Sequence, residues 1–413
     1  MSSRKERPPR ATEKWLTIVG IGEDGLAGLN EAAKRAITEA EIVFGGARHL
    51  ALAAPAILGE RQPWPSPFDV AMKDILALRG RKICALASGD PFFYGVGATL
   101  ARHVAPAEFE VYPAPSAFSL AAARLGWALQ NVETISLHGR PVTTIRPLLQ
   151  DGSRILAFTS DGNGPAAIAD ILTAHGFGAS SMHVLEALGG ADEQIVSLQA
   201  DAVATRSFNC LNVVAVEVKA GTDARVLPFA NGLDDDMFAH DGQITKREIR
   251  AITLSALAPQ RGELLWDIGA GAGSIAISWM LAHPAMRAIA IESDAIRGAR
   301  IKDNANTLGV PGLVVVEGAA PQVLADLPVP DAIFIGGGGS EPGVVERAID
   351  VLPGGGRLVA NAVTLQMEAV LLSLHERFGG ELTRIAISRA APVGGMNGWR
   401  PAMPVTQWIW RKP

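Results

Sequence analysis

The stretch Leu264–Gly273, which reads LLWDIGAGAG, decides the fold of the second half of the chain. Four of its first five residues are apolar, and they run directly into a turn with glycine at every second position. Ser274 then opens a segment with a helical pattern, so a strand, a glycine turn and a helix are predicted in this order. Because glycine has no side chain, the backbone of such a turn lets a ligand approach closely. The stretch therefore predicts a parallel α/β sheet with a binding site at one edge.

The strand that follows ends in Glu292, at about the 20-residue offset where an acidic side chain meets ribose hydroxyls in nucleotide-binding folds. Glu292 is therefore predicted to bind a ribose; a tight turn followed by a surface glutamate is the alternative. The next two strands also end in small residues, Gly318–Ala320 and Gly336–Gly339. Ligands of open α/β sheets bind outside the carboxyl ends of the strands. Three such loops predict a long cleft for a nucleoside and a bulky partner, although a dinucleotide oxidoreductase fits these features too.

Strand and helix patterns alternate through both halves of the chain, which indicates two α/β units. The first half closes with the β-branched run LNVVAVEV at Leu211–Val218. The periodicity then vanishes from Ala220 to Gly242, where residues 234–236 form an acidic cluster, and a solvated connector is predicted. The second half restarts with a helical pattern, in which Thr245 and Glu248 have the spacing of a capping box.

Composition excludes several classes of protein. The chain has 413 residues, enough for two or three domains, and its net charge of −5 argues against a nucleic-acid partner. The two cysteines, Cys84 and Cys210, lie far apart without a CxxC motif, which excludes a disulfide framework and a thiolate metal site. No histidine pattern predicts a metal site. The longest charge-free stretch, Ile268–Met286, contains glycines and a proline, so no membrane segment is expected, and a cytoplasmic location fits a reducing compartment.

Six motifs of the second half resemble the decarboxylating precorrin methyltransferase family of cobalamin biosynthesis: TKREIR, LLWDIGAGAGSIAI, AIES, GAAP, IFIGG and LVANAVTL. The resemblance runs from about Asp241 to the C-terminus. It implies a class I, Rossmann-like domain that uses S-adenosylmethionine to methylate C15 of a corrin precursor and decarboxylates the C12 acetate. Carried over by motif, the implied cofactor-binding residues are Thr245, Gly269, Ala270, Gly271, Ala272, Gly273, Glu292, Ala319 and Ala320. Aspartate is common in class I enzymes where Glu292 stands, and either carboxylate accepts ribose hydroxyls.

Four motifs of the first half resemble the corrin C5-methyltransferase branch of the tetrapyrrole methylase family: IVGIGEDG, LASGDPFFYGVGATL, PAPSAFSLAAARLGW and SLHGRP. The resemblance implies two α/β lobes that hold a folded S-adenosylmethionine largely through backbone groups. The implied cofactor-binding residues are Gly20, Gly22, Ser88, Gly89, Asp90, Pro91 and Ser116. For Asp90, a role in forming a turn is the alternative. Gly20, Gly22 and Gly25 also spell GxGxxG, but the next strand pattern does not end in an acidic residue, which weakens a dehydrogenase interpretation.

Together the resemblances imply an α/β protein in which a two-lobed tetrapyrrole methylase domain, residues 15–220, is followed by a linker, residues 221–240, and a class I domain, residues 241–413. The implied function is a bifunctional methyltransferase that methylates precorrin-6 at C5 and C15 and decarboxylates the C12 acetate to give precorrin-8. One S-adenosylmethionine site per domain and a homo-oligomer are implied as well. Whether the substrate is metal-free or cobalt-bearing, and which methylation comes first, stay open.

Methyl transfer from a sulfonium is an in-line displacement, so alignment of donor and acceptor is its main requirement. The candidate catalytic residues are Arg247, Asn361 and His138, for which a surface charge or a structural cap is the alternative. Because a corrin precursor carries many carboxylates, arginine or lysine donors are expected in both clefts. The candidates for this role are Arg140, Lys246, Arg247, Arg389 and Arg400. The rival functions are an RNA methyltransferase, another S-adenosylmethionine-dependent methyltransferase of small molecules, a nicotinamide dehydrogenase and a non-enzymatic corrin carrier.

Overall fold

The computed structural model describes residues 14–65, 70–203 and 206–413. The chain divides into two compact units, Met1–Arg140 with Asp151–Ala224, and Pro141–Gln150 with Arg225–Pro413. Each unit contains parallel strands that alternate with helices, which confirms the predicted α/β class.

The first unit begins with a five-stranded parallel sheet of order β3-β2-β4-β1-β5. Its core contains alternating strand residues such as Leu16, Ile18 and Ala85 on one face. Val19, Val43 and other residues pack on the opposite face, as expected for a parallel sheet covered on both sides. The elements are β1 (Leu16–Ile21), α1 (Glu31–Glu39), β2 (Ile42–Gly45), α2 (Ala47–Leu52), β3 (Glu60–Pro63), α3 (Val70–Ala77), β4 (Ile83–Ser88), α4 (Val96–Leu100) and β5 (Phe109–Tyr112).

A second five-stranded sheet of the first unit has the order β6-β7-β10-β8-β9. Only the pair of β6 and β7 is parallel in it, and the remaining pairs are antiparallel. Helix α5 ends at Gly126, whose φ of 67° is the left-handed conformation that glycine tolerates at a C-cap. The elements are α5 (Ala117–Leu125), β6 (Glu133–Ser136), β7 (Arg154–Phe158), α6 (Gly164–Ala174), β8 (Ser181–Glu186), β9 (Gln194–Gln199) and β10 (Asn212–Glu217).

The second unit is built on a seven-stranded sheet of order β13-β12-β11-β14-β15-β19-β16. The first five strands of this order are parallel, and β19 runs antiparallel to both of its neighbours. Helices cover both faces, so every residue of β11 is buried. The elements are α7 (Arg247–Leu257), β11 (Leu264–Ile268), α8 (Ser274–Leu281), β12 (Arg287–Glu292), α9 (Ala295–Thr307), β13 (Val314–Glu317), β14 (Ala332–Ile335), α10 (Val344–Val351), β15 (Arg357–Ala362), α11 (Leu365–Phe378), β16 (Glu381–Ile385), β17 (Ser388–Val393), β18 (Met396–Pro401) and β19 (Val405–Arg411).

The segment 141–150 lies between β6 and β7 in sequence, yet it belongs to the second unit. Ile145 and Leu149 are fully buried, and the Gln150 side chain donates a hydrogen bond of 2.8 Å to the carbonyl of Leu227. The sequence pattern predicts an uninterrupted first domain, because nothing in it distinguishes an apolar segment that packs locally from one that packs elsewhere.

The segment 225–240, expected as a solvated connector, is packed into the second unit. Leu227, Leu233 and Phe238 are each at most 4% exposed and belong to its core. The fully buried Arg250 of α7 donates to the carbonyl of Leu233, and its guanidinium lies 4.7 Å from the centre of the Phe238 ring. The apolar residues of this segment are widely spaced, and one buried arginine holds them in place. Such a segment shows no periodicity in its sequence, which is why the sequence predicts a solvated connector.

The predicted capping box at Thr245 is wrong. Helix α7 begins at Arg247 with Lys246 as its N-cap, and no side chain caps it. Thr245 lies one residue too early, and its carbonyl instead accepts a hydrogen bond of 2.7 Å from Arg250 Nη1. In the part of the chain that the structure describes, no helix is long and apolar enough to cross a membrane.

Candidate active sites

A cavity of about 660 Å³ opens in the second unit at the carboxyl ends of its parallel strands. Most of the cofactor-binding residues that the resemblance implies for this half line the cavity: Thr245, Gly269, Ala270, Gly271, Glu292, Ala319 and Ala320. Ala272 and Gly273 are not among its lining residues. Ala272 is buried, and its carbonyl accepts a hydrogen bond of 3.0 Å from the Asn304 side chain. These two residues therefore belong to the packing of the turn and do not line the cavity.

The glycines of the turn are required by its own packing. Gly269, Gly271 and Gly273 have φ angles of 69°, 59° and 74°, which L side chains rarely adopt. A Cβ at Gly269 would lie 2.5 Å from the carbonyl oxygen of Gly337, and one at Gly273 would lie 2.7 Å from the Ile301 side chain. Close contact with neighbouring elements thus explains the glycine spacing in addition to access for a ligand.

Glu292 is 5% exposed at the end of β12 and lines the cavity. Its Oε2 accepts a hydrogen bond of 2.8 Å from the backbone N–H of Gly271, and Oε1 accepts one of 3.1 Å from the N–H of Asp294. A carboxylate has about four acceptor positions, so the side chain is fixed at the glycine turn and keeps acceptor capacity for ribose hydroxyls.

Asp267 is a cavity residue that the sequence analysis did not select. Its side chain is buried, and Oδ2 accepts a hydrogen bond of 3.0 Å from the backbone N–H of Ala276. Among the described residues, Oδ1 has no hydrogen-bond partner. The pKa of this carboxyl is raised to about 7, mainly by burial; the hydrogen bond from the Ala276 N–H opposes the shift, and the nearby charge of Glu292 adds to it. The signal in the sequence was a single acidic residue inside the apolar strand LLWDI.

Of the two catalytic candidates in the second unit, one lines the cavity and the other does not. Asn361 lines the cavity, and a polar network holds its amide, in which Nδ2 donates to Thr253 Oγ1 at 3.0 Å and Oδ1 accepts from Gln407 Nε2 at 2.9 Å. Arg247 is not a lining residue; it pairs with Asp234 at 2.7 Å on the surface. The structure therefore places Asn361 at the site and Arg247 away from it, because the helix turn that carries Arg247 faces the segment 233–236.

Lys246 and Arg389 are the carboxylate-binding candidates that line this cavity. Arg389 also forms an ion pair with Glu248 of α7. Arg400 is not a lining residue, and it donates a long hydrogen bond of 3.5 Å to the carbonyl of Pro392. The cavity thus has cationic groups on the side formed by α7 and β17.

A second cavity, of about 690 Å³, lies in the first unit. Four implied cofactor-binding residues line it: Gly22, Ser88, Gly89 and Ser116. The remaining three, Gly20, Asp90 and Pro91, are not among its lining residues. Gly20 packs directly against the backbone of Gly89, and Asp90 Oδ1 accepts a hydrogen bond of 2.8 Å from the N–H of Phe92. The contacts of Asp90 are therefore those of a turn-forming residue, which was the alternative to cofactor binding.

His138 lines the first unit's cavity as an exposed side chain, whereas Arg140 does not line it. The sequence analysis missed Arg48 and His49, which follow β2 and also line the cavity. Their signal was a polar pair placed just after the strand pattern EIVFGG, at the carboxyl edge of the sheet. Among the residues described, no group of three or more histidine, cysteine or acidic side chains is arranged to hold a metal ion.

An aromatic wall completes this cavity. Phe93 and Tyr94 line it and are 38% and 49% exposed. Tyr94 has a φ of 57°, which is rare for a residue with a side chain, and its hydroxyl donates to the carbonyl of Thr134 at 3.2 Å. Strained, partly exposed aromatic residues are typical of binding sites. Phe92 points elsewhere and stacks on Phe109 at 6.2 Å.

Two family models match the chain. The family model described as tetrapyrrole (corrin/porphyrin) methylases matches residues 15–204, and the one described as precorrin methyltransferase domain matches residues 236–412. A protein of Sinorhizobium sp, named precorrin-6Y C(5,15)-methyltransferase [decarboxylating], is 59% identical over 412 residues and 100% of both chains.

Two shorter proteins are also similar. The cobalt-precorrin-7 C(5)-methyltransferase of Salmonella typhimurium is 35% identical over 188 residues, covering 46% of this chain and 92% of its own. The probable cobalt-precorrin-6B C(15)-methyltransferase (decarboxylating) of Pyrobaculum calidifontis is 36% identical over 175 residues, covering 40% of this chain and 89% of its own.

Proposed function

The chain belongs to the precorrin-6Y C(5,15)-methyltransferase (decarboxylating) family, and on this premise we propose that each of its two units carries one of the two methylations. Members of this family are methyltransferases of cobalamin biosynthesis that use S-adenosylmethionine and act on a precorrin. In the proposal, the first unit methylates C5, and the second unit methylates C15 and decarboxylates the C12 acetate. The observation that carries it is that, among the described residues, each unit contains a large cavity lined by glycines at the ends of its parallel strands.

Two similar proteins, each about half as long as this chain, support the assignment of one methylation to each unit. One is named for the C5 methylation alone, and the other for the C15 methylation with decarboxylation. The two family models match separate parts of this chain, and the model described as precorrin methyltransferase domain matches residues 236–412. We therefore propose one S-adenosylmethionine site in each unit.

In the second unit, the residues fit this cofactor. The backbone of Gly269–Gly271 forms one wall, Glu292 presents a carboxylate for the ribose, and Ala319 and Ala320 leave room for the adenine. The unpartnered Oδ1 of Asp267 is a buried acceptor beside the same turn. Thr245 is not required as a helix cap, which leaves its side chain to face the cavity.

In the first unit, Gly22, Ser88, Gly89 and Ser116 are the proposed cofactor contacts. Gly20, Asp90 and Pro91 act indirectly in this proposal: Gly20 lets β1 lie against Gly89, and Asp90 shapes the loop that begins at Pro91.

When bound, S-adenosylmethionine supplies an electrophilic methyl group. The protein's own contribution is to hold the ring carbon in line with it and to exclude water, which can lower the barrier by up to about 7–11 kcal/mol. In the second unit, Lys246 and Arg389 are placed to bind carboxylates, and the fixed amide of Asn361 is placed to orient the macrocycle. Arg247 has no part in this proposal.

Blocking one cavity at a time tests the assignment. Gly22 lines the first unit's cavity, so Gly22→Trp should fill it. The nearest atom to the new Cβ would be a carboxylate oxygen of Asp24, which can move aside. Ala319→Trp fills the second unit's cavity from an exposed position, without the positive φ that Gly271 has. Each purified variant is incubated with S-adenosylmethionine and the reduced precorrin, and the products are analysed by mass and NMR.

The unmodified protein is expected to add two methyl groups and release one carbon dioxide. Neither variant alone should form this product, and a mixture of both variants should restore it, because each supplies the site that the other lacks. Gly22→Trp should lose the C5 methyl, and Ala319→Trp should lose the C15 methyl and the decarboxylation. Formation of the complete product by either variant alone would disprove the assignment.

A further inference from the structure

An arginine, Arg48, lines the first unit's cavity. A corrin precursor carries several acetate and propionate groups, and a carboxylate that leaves water requires charged or polar donors. Of the described residues that line this cavity, Arg48 is the one arginine or lysine. Because its guanidinium remains protonated at neutral pH, it is the fixed positive charge that an entering carboxylate meets.

Neighbouring side chains hold Arg48 in place. Its Nη1 forms an ion pair with Glu23. Nη2 lies 3.1 Å from Ser88 Oγ and 3.0 Å from His49 Nε2, and these two atoms are themselves 2.8 Å apart. Glu23, Arg48, His49 and Ser88 all line the cavity. The guanidinium is thus fixed at the point where β1, β2 and β4 end.

His49 holds Arg48 without adding charge. Burial lowers the pKa of the imidazole to about 4, and the adjacent charge of Arg48 contributes to the shift. The ring is therefore neutral at pH 7, and Nε2 accepts a hydrogen bond from the guanidinium. A neutral imidazole beside the cation orients it and does not compete for the carboxylate.

We propose that Arg48 binds a carboxylate side chain of the tetrapyrrole in the first unit, and that His49 is the positioning residue for this contact. The proposal rests on the assignment of the C5 methylation to this unit. Arginine has five N–H donors, and three partners are found for it among the described residues. Two N–H donors of Arg48 are therefore left for a carboxylate in the cavity that this residue lines.

Arg48→Gln removes the charge, and Arg48→Lys keeps the charge but loses the planar fork. Arg124→Gln is the matched control, because Arg124 also pairs with a glutamate, Glu193, and its side chain is 42% exposed against 37% for Arg48. Arg124 does not line the cavity. Rates of both methylations are measured on the full chain against precorrin concentration, and affinity for S-adenosylmethionine is measured by calorimetry.

Arg48→Gln should raise the KM of the C5 methylation about 10- to 100-fold, as expected for the loss of one charge-assisted contact, with a smaller change in kcat. Arg48→Lys should lie between it and the unmodified protein. His49→Gln should raise the same KM by a smaller factor. Cofactor affinity and the C15 methylation should not change, and Arg124→Gln should leave all of these values unchanged.

A KM for the C5 step in Arg48→Gln within twofold of the control would overturn the proposal, provided that Gly22→Trp abolishes that step. If Gly22→Trp leaves the C5 methylation intact, the assignment of the step fails and the role of Arg48 fails with it. If Arg48→Gln does not fold, Arg48→Lys decides: a KM equal to that of the unmodified protein would contradict recognition by the guanidinium.

Discussion

At the scale of single residues, the glycine turn of the second unit illustrates how one motif serves several purposes. Gly269 and Gly271 both have positive φ angles and both line the cavity. A Cβ at Gly269 would meet the backbone of Gly337 at 2.5 Å, whereas one at Gly271 would meet the Gln243 carbonyl at 3.1 Å. The sequence predicts the turn. The structure shows why each glycine is needed: both have a positive φ, and a side chain at Gly269 would also clash with the backbone of Gly337.

Alanine substitutions separate these reasons. Gly262→Ala measures the conformational cost alone, because Gly262 has a φ of 88° with nothing within 4 Å of its Cβ position. We expect it to lower the free energy of unfolding by about 1–2 kcal/mol. Gly269→Ala should lower the free energy of unfolding clearly more than Gly262→Ala. Both substitutions strain a backbone with a positive φ, but the one at Gly269 also brings its Cβ within 2.5 Å of the Gly337 carbonyl oxygen. Chemical denaturation measures both, and equal losses for the two variants would contradict this explanation.

Asp267 gives a prediction about pH. Its pKa is raised from 3.8 to about 7 in the folded protein, mainly by burial. Between these two values the unfolded chain loses a proton that the folded protein keeps, so this residue lowers stability as pH rises from about 4 to about 7. The cost above pH 7 is at most about 4 kcal/mol.

Asp267→Asn cannot ionise, and its side-chain oxygen can still accept the hydrogen bond from Ala276. The variant should therefore lose less stability than the unmodified protein between pH 5 and pH 8. Thermal unfolding of the cofactor-free chain at both pH values measures this difference. Parallel pH profiles for the two proteins would show that the carboxyl is already ionised at pH 5.

At the scale of secondary-structure elements, a polar network connects α7, β15 and β19 beside the second unit's cavity. Thr253, Asn361 and Gln407 contribute one side chain each, and the first and last of them are at most 1% exposed. Buried amides are costly unless paired, so this network fixes the orientation of Asn361. The sequence identified Asn361 from its place at the end of a strand, but its partners lie 108 and 46 residues away.

Gln407→Met keeps the side chain's volume and removes its hydrogen bonds. It should lower the free energy of unfolding by about 1–3 kcal/mol, because Asn361 Oδ1 loses the hydrogen bond that the buried Gln407 side chain donates to it. The C15 methylation should slow as Asn361 loses its orientation, and the C5 methylation should not change. The control is Gln366→Met, at an exposed position of α11. If the Gln407→Met protein is destabilised but methylates C15 at the normal rate, the proposed role of Asn361 in orienting the substrate is contradicted.

At the scale of the whole molecule, the family comparison confirms both resemblances, the fold class and the bifunctional role in precorrin methylation that the sequence motifs predict. The domain boundaries, the individual site residues, a homo-oligomer, the absence of a nucleic-acid partner and a cytoplasmic location stay predictions. So does the number of cofactor sites. In the part of the chain that it describes, the structure adds a cavity in each unit, lined by most but not all of the residues that the motifs indicate.

Titration calorimetry counts the cofactor sites directly. The full chain should bind two molecules of S-adenosylmethionine or of its demethylated product, and Gly22→Trp and Ala319→Trp should each bind one. Circular dichroism confirms that the variants are folded. A stoichiometry of one for the unmodified chain would contradict a cofactor site in each unit.

The sequence by itself determined the fold class and the family, because glycine turns and strand ends are local patterns in which spacing carries the information. Only the tertiary structure decided which side chains meet. Arg48 reaches Ser88 across 40 residues, Arg247 turns to Asp234 instead of the cavity, and residues 141–150 join the second unit. Packing between distant segments decides such contacts, and no local pattern of residues encodes it.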